Sequence, residues 1–476
     1  MRPYVPRRSP LRALCGALLV LACAASGCSG DADSEEGAAP ARSGAAGAGD
    51  PLFPKLGNGG YDVTHYGLTL DYAPDDNHLK GTVQITARAT EPLSSFNLDL
   101  DGLTVREATV DGRAATFTRG GTELTVTPKS PLSKGRIFKA SIRYDGTPKT
   151  IHDPDGSIEG WIETDDGAVG LGQPTGSMAW FPGNHHPSDK AAYDVDVTVP
   201  IDYTAVSNGE LESREVTGER TTYRWHTGEP MASYLATLAV GQFEVTDTVT
   251  DGGLPQYNAV DYDEVDASRK VSEQVSEIID WQSRRFGPYP FSSTGAIVDR
   301  NPDVGYALET QTKPYFGAAP DELLLVHELA HQWFGNSVTP RSWQDMWLNE
   351  GFATYAEWLW EADHDGRSAD EIFQDFWDGT DDQSEGIWAF PPGSPPSAEV
   401  VSDSPVYGRG AMTLHKVREA VGDDTFFSIV RTWLKRHRHG NADTKAFIAL
   451  CEKESGKDLS EIFDVWLYGK GKPDRP

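Results

Sequence analysis

The first half of the chain alternates apolar and polar residues over short runs, and this pattern predicts β-strands. In YDVTHYGLTLDY the apolar side chains fall mostly at alternate positions, as in a strand with one buried face: Val63, Leu68, Leu70 and Tyr72. Turn pairs such as Asp111-Gly112 separate such runs. Because many short strands occur without a long helical pattern, we expect an antiparallel β-domain over residues 56–245.

After about residue 245 the apolar spacing becomes that of helices. In VSEQVSEIIDWQSRRF four apolar residues share one helical face: Val271, Val275, Ile278 and Ile279. Further helical patterns follow towards the C-terminus. We therefore expect a second, mainly helical domain over residues 246–476, and an α+β fold for the whole chain. A length of 476 residues suits two such domains.

The N-terminus has the pattern of a targeting segment. Arginines precede a fourteen-residue apolar run, LCGALLVLACAASG, which is too short to span a bilayer and typical of a signal peptide. Small residues directly before Cys28 resemble a bacterial lipobox, with Cys23 as a second candidate and a plain secretory signal as the alternative. We expect a signal peptide over residues 1–28, lipidation of Cys28, and an exported protein that is either anchored at the cell surface or secreted.

Composition adds three expectations. Residues 29–55 are rich in Gly, Ala, Ser and acidic residues and poor in apolar ones, which predicts a disordered tether. A formal net charge of −30 argues against nucleic acid as a partner and limits membrane contact to the lipid anchor. Cys451 is the one cysteine left beyond Cys28, so we expect no disulfide.

The segment VHELAH, residues 326–331, carries the clearest chemistry. On a helix, His327 and His331 are four residues apart and project from one face. Both imidazoles can then bind one zinc ion, while Glu328 leans towards the open coordination position. A buried helix with these groups and no metal would leave costly polar groups unmatched. We therefore expect one catalytic zinc per chain.

A catalytic zinc needs a third protein ligand. Glu350 is separated from His331 by eighteen residues, which is room for a turn and a return helix. Thr354 and Glu357 lie one and two turns beyond Glu350 on the same face. They are candidates to hydrogen-bond the outer ring nitrogens of the histidines, with solvent exposure as the alternative.

These motifs together resemble the aminopeptidase N family of zinc peptidases, the gluzincins. HELAHQWFGN and WLNEGF carry the resemblance, and it extends over residues 60–470 through YDVTHYGLTLDY, AVSNGEL, PMASYLATLAVGQF and FGPYPF. The resemblance implies a β-domain packed on a thermolysin-like catalytic domain, with the active site between them. Larger members add a C-terminal helical domain. The chain ends where the catalytic domain would, so we expect that domain to be absent and the cleft to be more open.

The resemblance also implies roles for individual residues. His327, His331 and Glu350 match the zinc ligands, and Glu328 matches the general base. Tyr407, in VYGRGAMTL, matches the tyrosine that stabilises the oxyanion, although the following Lys of the family pattern is replaced by Arg409 in this chain.

The residues that correspond to the family's binding site for the free amine of the substrate match the family pattern less well. Glu309, in YALET, matches the acid of the family's G-A-M-E-N loop, without the Gly and the Asn. Gln173 matches a second substrate-binding position. Two residues further on stands Thr175, where the family often has an acid. One amine anchor is therefore expected and a second is missing or replaced.

The sequence accordingly supports zinc-dependent peptide hydrolysis, with peptides as substrates. The leading hypothesis is an aminopeptidase that removes N-terminal residues. An endopeptidase or relaxed peptidase of the same fold is the alternative, because of Thr175 and the expected open cleft. A non-catalytic cell-surface binding lipoprotein is the alternative from another class. The sequence does not indicate an oligomeric state.

Overall fold

The described part of the chain begins after the targeting segment. The computed structural model describes residues 40–152, 156–364 and 366–475. The expected signal peptide and the lipidation site Cys28 lie outside these residues. Of the helices within the described ranges, none is both long enough and apolar enough to cross a membrane.

The first domain is built from short strands. In chain order they are β1 (Arg42–Ser43), β2 (Tyr61–Ala73), β3 (His78–Ala89), β4 (Leu93–Asp99), β5 (Thr104–Val110), β6 (Arg113–Ala114), β7 (Thr116–Gly120), β8 (Glu123–Thr127), β9 (Ile137–Gly146), β10 (Thr150–His152), β11 (Ile158–Glu163), β12 (Ala168–Leu171), β13 (Lys190–Pro200), β14 (Thr204–Ser207), β15 (Glu210–Thr217), β16 (Arg220–Ala232) and β17 (Leu238–Gly241). Their sheets have the orders β15-β16-β13-β2-β3-β9-β5-β6, β10-β11-β12-β17-β14 and β1-β4-β8-β7. Only β1–β4 and β2–β13 pair in parallel in these sheets of the described chain. The predicted antiparallel β-domain is confirmed.

Strand β2 shows how the apolar pattern produces the buried face. Leu68, Leu70 and Tyr72 alternate inward, but Val63 has the opposite parity and is also buried. The register against β3 shifts between Val63 and His65. This bulge adds one residue to β2, so both parts of the strand turn their apolar side chains to the same core.

Residues 41–55 are ordered, so the predicted tether is wrong over this range. Asp50 is buried and accepts hydrogen bonds from the Ser342 hydroxyl at 2.8 Å and from the Trp343 amide at 2.9 Å. The ring of Phe53 packs against that of Trp343, with centroids 5.7 Å apart. The amino-acid composition did not reveal this order because the segment has no apolar run of its own. One buried carboxylate and a few apolar side chains hold it in place.

The second domain combines a small sheet with helices. Its strands are β18 (Phe243–Val249), β19 (Pro255–Asp261), β20 (Thr294–Val298), β21 (Ala307–Leu308), β22 (Tyr315–Phe316), β23 (Val338–Pro340) and β24 (Gly440–Ala442). Its helices are α1 (Val271–Phe286), α2 (Glu322–Ala330), α3 (Trp347–His364), α4 (Ala369–Asp378), α5 (Gly410–Val421), α6 (Asp423–His437), α7 (Thr444–Ser455) and α8 (Ser460–Ile462), with π-helical turns at Pro405–Arg409 and Phe463–Leu467. The sheet order is β18-β19-β20-β22-β21. The predicted boundary at residues 245 and 246 falls inside β18, which pairs with β19, so the second domain begins a few residues earlier.

Polar side chains of the first domain, the buried Asn208 and the half-buried Lys190, form hydrogen bonds to the second domain. The amide nitrogen of Asn208, in the first domain, donates to the Leu235 carbonyl at 2.9 Å and to the Gln311 carbonyl at 2.8 Å. The Lys190 ammonium donates to the Asn336 carbonyl at 2.8 Å, and burial lowers its pKa to about 7. A buried group that is paired across an interface fixes the geometry of that interface. The β-domain therefore sets the position of the segment that follows Glu309.

Candidate metal centre and substrate cleft

Helix α2 presents the two histidines. The Asp321 side chain caps the helix by accepting from the Leu324 amide at 2.9 Å. The helix proper ends at Ala330, and turns lead on to Gly335, whose φ of +117° suits a residue without Cβ. His327 and His331 are both buried.

Helix α3 returns across α2 and brings Glu350 between the two rings. One carboxylate oxygen, Oε2, lies 3.3 Å from Nε2 of His327 and 3.3 Å from Nε2 of His331. One ligand atom from each of the three residues lies within 4.8 Å of the other two. The return helix expected from the eighteen-residue separation is present, and it converges three potential ligand atoms on one point.

The outer ring nitrogens are held from behind. Nδ1 of His327 lies 2.6 Å from Oε1 of Glu357, as expected for a residue two turns beyond Glu350. Nδ1 of His331 lies 3.0 Å from the Phe334 carbonyl oxygen. The expectation that Thr354 would hold an outer nitrogen is wrong, because the turn after α2 brings a backbone carbonyl to that position first. Thr354 lines the cleft instead.

Glu328 and Tyr407 flank the converging ligand atoms. Glu328 is buried, and its Oε2 has no hydrogen-bond partner among the described residues. Desolvation raises its pKa to about 7, against the opposing effect of His327. The Tyr407 ring stacks on that of His327, with centroids 6.0 Å apart and planes 18° from parallel. Both side chains line the cleft and face the same space.

Arg409 is buried behind the cleft and binds backbone carbonyls of the C-terminal segment. Its guanidinium is fully buried and donates to the carbonyls of Trp466 at 2.8 Å and Val465 at 3.0 Å. The π-helical turn Pro405–Arg409 is thereby tied to the C-terminal segment. The Arg in this motif positions Tyr407 from behind and does not reach the cleft.

Glu309 and Gln173 meet at one end of the cleft. The Gln173 amide nitrogen donates to Oε1 of Glu309 at 2.8 Å and to Oε2 at 3.2 Å. A carboxylate oxygen of Glu309 lies within 4.8 Å of ligand atoms of Glu328 and His331. The pKa of Glu309 is raised to about 8, mainly by burial and also by the neighbouring carboxylates Glu350 and Glu328, while His331 lowers it. A cation beside this carboxylate would be strongly favoured.

The Thr175 side chain does not line the cleft and so offers no group to the substrate amine. Its hydroxyl donates to Oε1 of Glu159 at 2.5 Å, and its amide nitrogen donates to both oxygens of Glu159 at 3.0 Å. Glu159 is fully buried. Thr175 therefore does not replace the missing second anchor for the substrate amine. It fixes a turn by binding Glu159, a buried acid that the sequence pattern did not identify.

Asn336 is a second residue that sequence reasoning missed. Its amide nitrogen donates to the backbone carbonyl of Glu309 at 2.7 Å. The residue follows Gly335 directly, in the WFGN end of the motif. The turn that ends α2 therefore also holds the strand end that carries Glu309.

The three candidate ligands line one cavity of about 710 Å³ together with Glu328, Tyr407, Glu309 and Gln173. Its wall combines the candidate ligands with apolar and polar side chains from both domains, among them Pro174, Tyr306, Leu323, Gln383 and Ser404. A cleft of this size, partly apolar and with converging charged groups, has the form of a substrate site.

Comparison with known proteins agrees with this geometry. The family description "Peptidase M1 N-terminal domain" matches residues 62–235, and "Peptidase family M1 domain" matches residues 319–466. The M1 zinc metallopeptidase from Deinococcus radiodurans is 31% identical, with a TM-score of 0.83 over 90% of this chain and 98% of that one. The chain belongs to peptidase family M1. A mutant of the Deinococcus enzyme, solved with a Tyr-Ser-Ala substrate, matches with a TM-score of 0.81 and 31% identity over 90% of this chain and 99% of that one.

Curated M1 relatives are longer. Glutamyl aminopeptidase from Bos taurus is 28% identical over 63% of this chain and 34% of its own length. Aminopeptidase 2 from Candida albicans is 25% identical over 86% of this chain and 47% of its own length. The chain thus spans about a third to a half of these relatives.

The site residues fit zinc, the metal of the M1 family. Two imidazole nitrogens and one carboxylate oxygen form a donor set typical of a catalytic zinc, and tetrahedral bonds of about 2.0–2.1 Å separate ligand atoms by roughly 3.3 Å. Both measured nitrogen–oxygen distances are 3.3 Å. Three further buried acids surround the set, Glu309, Glu328 and Glu357, so a divalent cation also balances the local charge.

Proposed function

We propose that this M1 zinc metallopeptidase is an aminopeptidase that removes N-terminal residues from peptides. One observation carries the proposal: the carboxylate of Glu309 lies within 4.8 Å of ligand atoms of Glu328 and His331. An ammonium group paired with Glu309 has its first peptide carbonyl only two bonds away. The first peptide bond, and not a later one, then lies beside Glu328.

His327, His331 and Glu350 would hold the zinc ion, which when bound supplies Lewis acidity that polarises the scissile carbonyl and lowers the pKa of water. Glu328 takes a proton from the attacking water and passes it to the leaving amine. The Tyr407 hydroxyl donates a hydrogen bond to the oxygen that becomes negative. Glu309 accepts hydrogen bonds from the substrate ammonium, while the Gln173 amide fixes the carboxylate's orientation.

The test compares aminoacyl-chromophore substrates with the same substrates carrying an N-acetyl group. We expect rapid hydrolysis of the free-amine substrates and a loss of at least about 10²-fold for the acetylated ones, because the acetyl group removes the charge that Glu309 pairs with. Equal rates for both would contradict exopeptidase activity. One zinc per chain, measured on the same preparation, shows that the enzyme was loaded.

A relaxed peptidase is the second candidate, favoured by the position of Thr175. Because its side chain binds Glu159, the substrate amine meets one acid at this end and not two. Weak internal cleavage of an N-acetylated peptide, located by mass spectrometry, would support this alternative. Its absence under conditions where the free peptide is fully processed supports a strict aminopeptidase.

Export with a lipid anchor remains a proposal from the sequence. Labelling of the chain with a fatty acid, lost in Cys28→Ala, would support lipidation. A labelled Cys28→Ala chain would point to Cys23, and an unlabelled, released wild-type chain would point to simple secretion.

A further inference from the structure

A second group of carboxylates, one buried and two half-buried, lies outside the residues that line the cleft, at the junction of the domains. It consists of Asp166, in the turn between β11 and β12, Asp261, the last residue of β19, and Asp299, directly after β20. One carboxylate oxygen from each lies within 4.8 Å of the other two. Three acids from three separate segments therefore converge on one point.

Asp299 is the buried member of the cluster. It is 1% exposed, and neither carboxylate oxygen has a hydrogen-bond partner within the described part of the chain. Its two neighbours differ: Asp166 accepts from the Gln242 amide at 2.6 Å, and Asp261 accepts from the Asp263 amide at 2.7 Å. A buried carboxylate with no partner is rare in folded proteins and calls for an ion, a water molecule or a proton.

Basic side chains of the described residues do not balance the charge of this cluster. Across residues 40–152, 156–364 and 366–475, none of the three aspartates forms an ion pair with a basic side chain. Arg300, next in sequence to Asp299, pairs instead with Asp165 at 2.9 Å. Further acids, Asp263 and Glu264, add negative charge near Asp261. Burial, and then the charges of Asp166 and Asp261, raise the pKa of Asp299 to about 8.

We propose that Asp166, Asp261 and Asp299 bind one hard divalent cation, calcium, at a site separate from the zinc centre. Calcium binds carboxylate oxygens at 2.3–2.6 Å, so two oxygens on one ion can be up to about 5 Å apart, which the cluster satisfies. Calcium accepts all-oxygen ligands in flexible geometry and completes its shell with water, whereas zinc prefers nitrogen and sulfur ligands and magnesium needs a near-ideal octahedron.

A cation bound at this cluster would link the two domains. Asp166 belongs to the hairpin of the first domain, whereas Asp261 and Asp299 end neighbouring strands of the second. The chain from Asp299 continues to Glu309 and carries Tyr306, whose hydroxyl donates to the Ile158 carbonyl on β11 at 2.7 Å. A bound cation therefore fixes both sides of the cleft wall that supports Glu309.

The test uses the full mature chain, freed of calcium on a chelating resin and reloaded to one zinc per chain. We expect calcium to raise the midpoint of thermal unfolding by about 3 °C at a hundredfold excess over its Kd. Isothermal titration should show one calcium per chain, and zinc content should stay unchanged. Potassium chloride at the same ionic strength controls for charge screening. Magnesium chloride reports selectivity, and any response to it weaker than the calcium response fits the proposal.

Two variants locate the site. Asp299→Asn keeps the shape and removes the unpartnered charge, so it should lose the calcium response and the titration heat while keeping zinc. Asp165→Asn, an exposed neighbour paired with Arg300, is the matched control and should respond like the wild type. If Asp299→Asn does not fold, Asp166→Asn replaces it. A wild type without calcium binding, or an equal loss in Asp165→Asn, would overturn the proposal.

Discussion

The two ends of the cleft are built in different ways. At the metal end, α2 and α3 deliver His327, His331 and Glu350, and a backbone carbonyl and Glu357 hold the ring nitrogens from behind. At the substrate end, Glu309 and Gln173 come from separate domains and meet only through the interface. Helical spacing fixes the first end locally, whereas the second depends on how the domains pack. Chemistry and specificity should therefore fail separately under mutation.

The largest effect should come from Glu350→Ala at the metal end. Removing the carboxylate leaves two imidazoles and no third ligand, so zinc should be lost and activity should fall to background. Zinc per chain, measured by mass spectrometry of the metal after gel filtration, checks this. Full zinc occupancy in the variant would show that another acid of the cleft can replace Glu350.

Glu328→Gln should separate metal binding from proton transfer. The amide keeps the shape but cannot accept the proton, so kcat should fall by about 10²- to 10⁴-fold while zinc content stays at one per chain. Zinc analysis and steady-state kinetics on one preparation measure both. Loss of zinc together with activity would instead show that Glu328 helps to hold the metal ion.

Tyr407→Phe should act on the transition state only. Without the hydroxyl, kcat should fall by about 10²- to 10³-fold with little change in KM, because the hydrogen bond forms to the developing negative oxygen. Kinetics over a range of substrate concentrations separates the two constants. A rise in KM alone would show that Tyr407 binds substrate and does not stabilise the oxyanion.

The same contrast explains what the sequence could predict. The helical face shared by His327 and His331, the return helix with Glu350 and the strand pattern of β2 follow from local spacing. The roles of Phe334, Asn336 and Glu159 depend on turns and on contacts distant in sequence, which local spacing does not contain. The ordered segment around Asp50 was missed for the same reason, since its partners lie near Trp343.

Glu309→Gln should damage the substrate end alone. The neutral amide no longer pairs with the ammonium, so kcat/KM for free-amine substrates should fall by about 10²-fold, the equivalent of about 3 kcal/mol. Acetylated substrates should change little, which makes the ratio of the two rates the decisive measurement. Equal damage to both would mean that Glu309 supports the metal end and not the amine.

Thr175→Val should have the smallest effect and sharpen the same comparison. Valine removes the hydroxyl that donates to Glu159, while the backbone amide still donates to that carboxylate. We expect a loss of about 1 kcal/mol in the free energy of unfolding. Because Thr175 faces the buried Glu159, the preference for free over acetylated substrates should change less than about twofold, the effect of a few tenths of a kcal/mol. A collapse of that preference would show that the turn at Thr175 positions Gln173 against Glu309, and that the substrate end extends into the first domain further than the direct contacts indicate.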